Sequence, residues 1–470
     1  MPLTGESRQV LIVFPVKPAF PAKDFRGNLQ QIRALADILN TDQHSVDVFY
    51  KRDQKKPAIW KDADSSRPIA LSPQQSALIN RLALPQLKVA EYKTRIRQDS
   101  TARHLLGFTS QDPERVAGQY SRFIQQGKLS VNSEIGSAGL ERTFQPWLMG
   151  IGETSLSYFT DAKERPLPGL EARIIAPDPV YYPLKIMTTL DLPVQQKIES
   201  AMDRLHIKEA AVVVLNADSA DVAAMASRPG YDPAHIDLQS GDWGNRAIKA
   251  AAPRVGLQDI DRCGRIGKKG VVGPHETFDC EGALGKYGFT CWKKEGHGVI
   301  DFEQAFAESC NITFAKVMER LTSDEVEQYA RKLGLMDPVG WTGSVGPYKH
   351  FAQLDNEEGG QLFSQGTSRN DDGVRVQTAI GQRDVQITPL QAANLIVTLL
   401  HKGTVLSPRV VSEIQFANGR TEADFPVKAL FSEKKSISAK TAEELLNMME
   451  LVVKKRDRQG AAAREMGAGR

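Results

Sequence analysis

The sequence predicts an α+β chain of two or three domains. Strand-length apolar runs alternate with runs of helical period, and 470 residues at 41% hydrophobic content suffice to bury a large core. Gln9 to Phe14 runs apolar like a strand, and Leu29 to Leu39 has the spacing of an amphipathic helix. Ser72 to Lys88 reads as a second helix, opened by a capping serine and Pro73. Ala210 to Ser227 reads as two strands around a tight polar turn, with Ala220 and Asp221 where glycine would supply positive φ most cheaply. Val299 to Lys316 predicts one helix whose apolar face is built by Phe302, Phe306, Cys310, Phe314 and Val317, with Ser309 and Asn311 beside that face. Thr441 to Val453 predicts a last helix.

Net charge is only +3 with Lys and Arg scattered, so no nucleic-acid footprint is present. Four cysteines are too few for a disulfide scaffold; Cys280 and Cys291 could pair across a short loop in an oxidising compartment, several pairings stay open, and no C-x-x-C zinc spacing occurs. His275 and His297 fall in loops at no metal-ligand spacing with other ligands, which predicts structural or solvated roles. No apolar run approaches the roughly 18 residues of a membrane span, and no basic segment precedes the short apolar patch after Met1.

Ser309 and Asn311 form a Ser-x-Asn pair inside an apolar run. By itself the pair is equally consistent with Ser309 bonding back to a preceding carbonyl and Asn311 starting a turn. Its surroundings decide between these readings. Upstream stand Phe278, Cys280, Gly282, Cys291, Trp292 and His297-Gly298, and downstream comes Ala379 to Val410 with its QITPLQAANL run. This succession resembles the transpeptidase domain of the class B penicillin-binding proteins, in which Ser-x-Asn is the second of three active-site motifs. The first is Ser-x-x-Lys, and the third is Lys-Thr/Ser-Gly on a strand. Thr101 to Phe108 and Gly136 to Ile151, with Ser137 to Glu141 inside the latter, resemble segments of that family's pedestal, or dimerisation domain. Glu141 reads as a solvated carboxylate at a helix start. Ile186 to Leu192 and Val194 to Leu205 resemble the strand and helix that open the transpeptidase domain.

The resemblance implies a pedestal at 1–185, a transpeptidase domain at 186–455 with a central antiparallel sheet flanked by helices, and an aberrant tail at 456–470. It implies a cell-wall D,D-transpeptidase acting through an acyl-serine on D-Ala-D-Ala stem peptides, with β-lactams acylating the same serine if the site is active. The implied catalytic residues present are Ser309 and Asn311, and the resemblance implies no metal or organic cofactor. The implied partners are peptidoglycan stem peptides, and cell-division or sporulation proteins or a second copy through the pedestal. Members are membrane-anchored with an extracytoplasmic domain. Met1-Pro2-Leu3-Thr4 resembles the text just after their anchor-proximal motif, so an omitted anchor is expected.

The first and third motifs are absent from their places. Where Pro-Gly-Ser-x-x-Lys and an alanine-rich helix belong, Pro253 is followed by RVGLQDIDRCGRIG, Arg254 to Gly267. Back-translating Arg254 to Asp259 and dropping the first nucleotide permits Gly-Ser-Val-Phe-Lys, and the same shift from Arg456 permits an approach to the third motif. A compensated pair of frameshifts is therefore expected; the alternative is a catalytically inactive degraded or scaffold relative. Ser432 and Lys435 fit Ser-x-x-Lys literally but lie in a polar linker, and Lys440-Thr441-Ala442 should open a helix capped by Ser438. Asp384 and Gln382 should serve a turn before the helix start at Thr388-Pro389. Arg254, Asp259, Asp261, Arg262 and Arg265 in place of a buried helix predict poor soluble expression.

Overall fold

The computed structural model describes every residue except 1–2, 15–24, 52–56, 62–67, 83, 85–86, 96–99, 151–154, 158, 160, 164–166, 168–172, 176–180, 183, 234, 252–271, 274, 380, 382, 433–435 and 468–470. The chain forms two compact units. One comprises Met1–Ser100, Gln111–Glu134 and Met149–Tyr182, and the other Thr101–Ser110, Ile135–Leu148 and Pro183–Arg470. The longest segment of the second unit starts at Pro183, and the unit also takes in two segments, Thr101–Ser110 and Ile135–Leu148, that were expected in the first. Both segments are apolar enough to require a core: Leu105, Phe108, Leu140 and Phe144 are all buried. Gly107 brings the two segments together, because a Cβ there would lie 1.9 Å from the Ala138 carbonyl oxygen.

In the first unit, strand Glu6–Val13 pairs antiparallel with both Ala58–Ile59 and Leu87–Thr94, placing Ile12 opposite Ile59 and Val10 opposite Ala90. Leu11, Val13, Leu35, Trp60 and Ile79 close its core. Helix Phe25–Leu39 covers the expected amphipathic run. Helix Pro73–Arg81 opens on a capping box, in which Ser72 and Gln75 each accept the other's backbone N–H. It ends at Arg81, short of the predicted Lys88, which lies in the next strand opposite Ile12. Pro85 accounts for the difference, since it disfavours helical backbone at the residue before it and has no N–H to donate.

The second unit is built on antiparallel strands with helices packed against them. Val411–Gln415 lies between Lys185–Thr188 and Thr421–Asp424. The hairpin Ala210–Leu215 with Val222–Arg228 matches the predicted pair. Its turn manages without glycine because Asn216 Oδ1 accepts the N–H groups of Asp218 at 2.8 Å and Ser219 at 3.2 Å, which supports Ala220 at φ 57°. Helix Leu192–Arg204 starts at the Asp191 cap, and its fully buried Gln195 bonds both the N–H and the C=O of Met225, as a neighbouring strand would. Helix Pro389–Leu400 opens on the Thr388–Gln391 capping box. Asp384 accepts from Thr367 Oγ1 at 2.8 Å and Ser364 N–H at 3.3 Å, serving the turn ahead of it; Gln382 lies outside the described residues.

Two expectations change here. Glu141 is not solvated but buried, at 4% exposure, in the helix Gly139–Thr143. The last helix does not stop near Val453; its backbone runs over Ala439–Gly467 and so into the stretch expected to be an aberrant tail. Its start agrees with expectation, since Ser438 Oγ accepts the Thr441 N–H at 3.1 Å.

Glu357 makes a pH prediction. Burial raises its carboxyl to about 7, against the N–H groups of Val339 at 2.8 Å and Gly340 at 3.0 Å that favour the charged form. With the folded value above the ordinary 4.5, the native state keeps a proton that the unfolded chain has lost between the two values. Stability is therefore full below pH 4.5 and falls as pH rises to about 7, by roughly 3 kcal/mol in all. Glu357→Gln should flatten that part of the curve in urea unfolding followed against pH; an unchanged slope would remove Glu357 as its source.

Candidate functional site

The run that carries Ser309 and Asn311 is not one helix. Gly298–Asp301 is a strand paired antiparallel with Thr277–Cys280, so that Phe278 faces Ile300 and Cys280 faces Gly298. Asp301 then caps helix Phe302–Ala307 by accepting the Gln304 N–H, and a second helix, Asn311–Met318, follows after a corner. The corner arises because Ser309 takes left-handed backbone, φ 53°, which breaks the helical ladder. The predicted apolar face survives the break: Phe302, Phe306, Cys310, Phe314 and Val317 are all buried. An apolar period of three and four residues does not reveal a single left-handed residue within it, hence the over-long helix.

At the corner, Ser309 is half-buried, its N–H donates to Phe306 O at 3.2 Å, and Cys310 N–H donates to Ala305 O at 2.9 Å. Asn311 is the first residue of its helix, as its plainer reading anticipates, and its side-chain amide donates to Thr290 O at 3.4 Å. The Trp292 indole donates to Glu308 O at 2.9 Å. The loop Thr290–Trp292 therefore clasps the corner from both sides.

His297 is the principal correction to the sequence reading. Among the described residues, Cys280, Cys291, His297 and Cys310 bring their ligand atoms within 4.8 Å of one another. The Cys280 and Cys291 sulfurs each stand 3.5 Å from His297 Nδ1. The imidazole is fully buried, and Nε2 faces Glu308 Oε2 at 3.5 Å. All three thiols are free and buried, so the Cys280–Cys291 pairing considered from sequence is not made. Cys310 donates to Cys291, which pulls the Cys291 thiol below its usual range and pushes the Cys310 thiol up. These four side chains could hold a metal ion, contrary to the expectation of none. The sequence signal is C-x10-C-x5-H-x12-C; it escapes a C-x-x-C template because two hairpin arms, a loop and a helix cap each contribute one ligand.

The other candidates stay apart from this corner's chemistry. His275 is exposed, and Ser432 is exposed in a loop while Lys435 lies outside the described residues. Arg254 to Gly267, where the first motif was sought, also lies outside them. Among the described residues no helix is long and apolar enough to cross a membrane.

Residues 267–469 match the penicillin binding protein transpeptidase domain. Stage V sporulation protein D of Bacillus subtilis is 26% identical over 462 residues, covering 96% of this chain and 63% of that protein. The peptidoglycan D,D-transpeptidase MrdA of Haemophilus influenzae is 25% identical over 362 residues, covering 72% of this chain and 53% of that protein. This chain thus spans between half and two thirds of the length of these relatives. The crystal structure of penicillin binding protein 2X from Streptococcus thermophilus superposes with a TM-score of 0.67 at 17% identity, over 95% of this chain and 63% of that one, which establishes the likeness of fold. The matched domain and the relatives support the reading of a class B penicillin-binding protein, and the solved structure shares its fold.

Proposed function

We propose that the chain is the body of a peptidoglycan D,D-transpeptidase. In this chemistry a serine oxygen attacks the D-Ala-D-Ala carbonyl, D-Ala leaves with a proton, and an amine of a neighbouring stem takes the acyl group and frees the serine. The supporting observation is the Ser309–Cys310–Asn311 corner, fixed between two buried helices inside the matched span. There Ser309 positions or relays a proton, and the Asn311 amide holds the substrate backbone. β-Lactams would acylate the same nucleophile. The first unit is the surface we assign to a partner in cell division or sporulation, or to a second copy.

The nucleophile belongs to the stretch Arg254 to Gly267, displaced by a reading-frame shift, and the third motif to a second shift from Arg456. The literal substitutes argue for this assignment: Ser432 is exposed in a loop, and Thr441 sits at a helix start. The same facts favour a second reading, an inactive relative in which Ser309 and Asn311 have no nucleophile to serve. Sequencing the gene across codons 245–275 and from 450 onward separates them. Single-base corrections that restore Pro-Gly-Ser-x-x-Lys and Lys-Thr/Ser-Gly would support the enzyme; bases that stand as given would establish the inactive relative.

A further inference from the structure

We infer that the cavity bounded by Trp243, Lys249 and Asp355 is a binding site for a glycan strand, and that it holds a neutral N-acetylated sugar ring. Counting its open mouth, the cavity measures about 570 Å³, within the range of about 300–1,000 Å³ that small-molecule sites occupy. Leu105, Leu140 and Leu354, all buried, give it an apolar lining. None of its lining residues belongs to the Ser309–Asn311 corner or to the loop that clasps it. The choice of glycan rests on the transpeptidase reading, because peptidoglycan stems hang from a strand of N-acetylated sugars.

Hydrogen bonds fix the walls, so the space does not close on itself. The His104 Nε2–H donates to Asp242 O at 2.9 Å and Pro229 O at 3.0 Å, tying helix Arg103–Leu106 to the residue before Trp243. The Glu358 N–H donates to Ile248 O at 3.0 Å, the Ala250 N–H donates to Glu358 Oε2 at 2.8 Å, and Lys249 Nζ donates to Asn356 O at 3.1 Å. These bonds join residues 245–250 to residues 353–358. Thr143 Oγ1 donates to Gln353 O at 3.2 Å, and Gly139 packs so closely on the first segment that a Cβ there would lie 2.5 Å from Leu105 O. Protein interiors fill voids wherever side chains can move in. An opening framed by such bonds is preformed for a ligand.

The lining selects a neutral, hydroxyl-rich ligand with one apolar face. Trp243 is half-buried, edge-on to Phe108 at 6.0 Å between ring centroids, and its indole N–H turns to Leu238 O at 3.5 Å, so the ring is a fixed plate. The C–H face of a sugar ring packs on such a plate. The Asp355 carboxylate stands 3.5 Å from Arg142, and a carboxylate accepts several donors at once, which suits neighbouring sugar hydroxyls. Lys249 does not turn the cavity into an anion site. Its Nζ lies 2.8 Å from Glu358 Oε1, and Asp355 sets negative charge against the same space. A phosphate or carboxylate ligand would be repelled there, and a wholly apolar one would strip water from Asp355 and Lys249 without replacing its hydrogen bonds.

The probe is tetra-N-acetylchitotetraose, which carries no D-Ala-D-Ala, so its binding needs no acyl-serine. Isothermal titration of the full chain should show saturable binding, and amide exchange should slow over Trp243 to Lys249 and over residues 353–356. Trp243→Ala should weaken binding by roughly tenfold or more, as expected for an aromatic anchor. Asp355→Asn, which keeps the shape, should weaken it by roughly tenfold through the lost charged acceptor. Inorganic phosphate should not compete. No binding to the parent chain, protection confined to other residues, displacement by phosphate, or affinity unaltered by both variants would each overturn the site. The parent chain's titration and exchange decide even if the Trp243 variant fails to fold. A chain that takes a fluorescent penicillin but ignores the tetramer removes this site and leaves the transpeptidase reading standing; one that binds the tetramer without taking penicillin keeps the site on the inactive relative.

Discussion

Phe314→Ala is expected to cost about 3–5 kcal/mol of unfolding free energy, the range for removing a large buried aromatic side chain from a core that cannot collapse around the gap. Phe314 is 1% exposed on the helix that Asn311 begins, and its ring centroid lies 5.5 Å from that of Phe302, which in turn lies 6.4 Å from Phe278. The three rings join the second helix to the first and to the strand carrying Cys280, so a void there loosens everything that positions Ser309. Val453→Ala, at a position 59% exposed on the last helix, should stay within about 0.5 kcal/mol. Urea midpoints of the two variants against the parent give the comparison. A Phe314 cost no larger than that of Val453 would mean that this cluster is not the core of the unit.

The second large effect distinguishes two glycines two residues apart. Gly296 and Gly298 both have left-handed backbone, φ 79° and 68°, so alanine at either position carries a conformational cost of about 1–2 kcal/mol. At Gly298 the new methyl group meets open space, whereas at Gly296 it meets the Cys280 carbonyl oxygen at 2.0 Å. Gly296→Ala must therefore push the two arms apart, adding about 1–3 kcal/mol of overpacking and separating the Cys280 sulfur from the others. Thermal denaturation should show Gly298→Ala mildly destabilised with the thiol cluster intact, and Gly296→Ala strongly destabilised with its thiols open to alkylation. Equal shifts for both would show that conformation alone matters at these positions.

Much of this architecture could be read from residue pattern. Capping residues located helix starts at Ser72, Thr388 and Ser438, because a side chain that accepts an N–H three residues on is a local event fully encoded in sequence. The buried face from Phe302 to Val317 was equally legible, since burial follows period. What pattern did not show was conformational or non-local. Ser309 breaks its helix through one positive φ, which no periodicity marks. Glu141 is buried although its residue type suggests solvent. The cysteine–histidine cluster draws ligands from 280, 291, 297 and 310, a span that sequence spacing cannot close without the register that sets Cys280 opposite Gly298.

Covalent labelling by a fluorescent penicillin, read by intact mass, tests the central claim most directly. Two chains are compared, one with the sequence as it stands and one with both frames restored across Arg254 to Gly267 and from Arg456 onward. The predicted result is no adduct on the first and one boil-resistant adduct on the second, carried by the restored serine and lost when that serine becomes alanine. An adduct on the first chain, at Ser432 or elsewhere, would contradict the account, as would a restored, folded chain that takes no label.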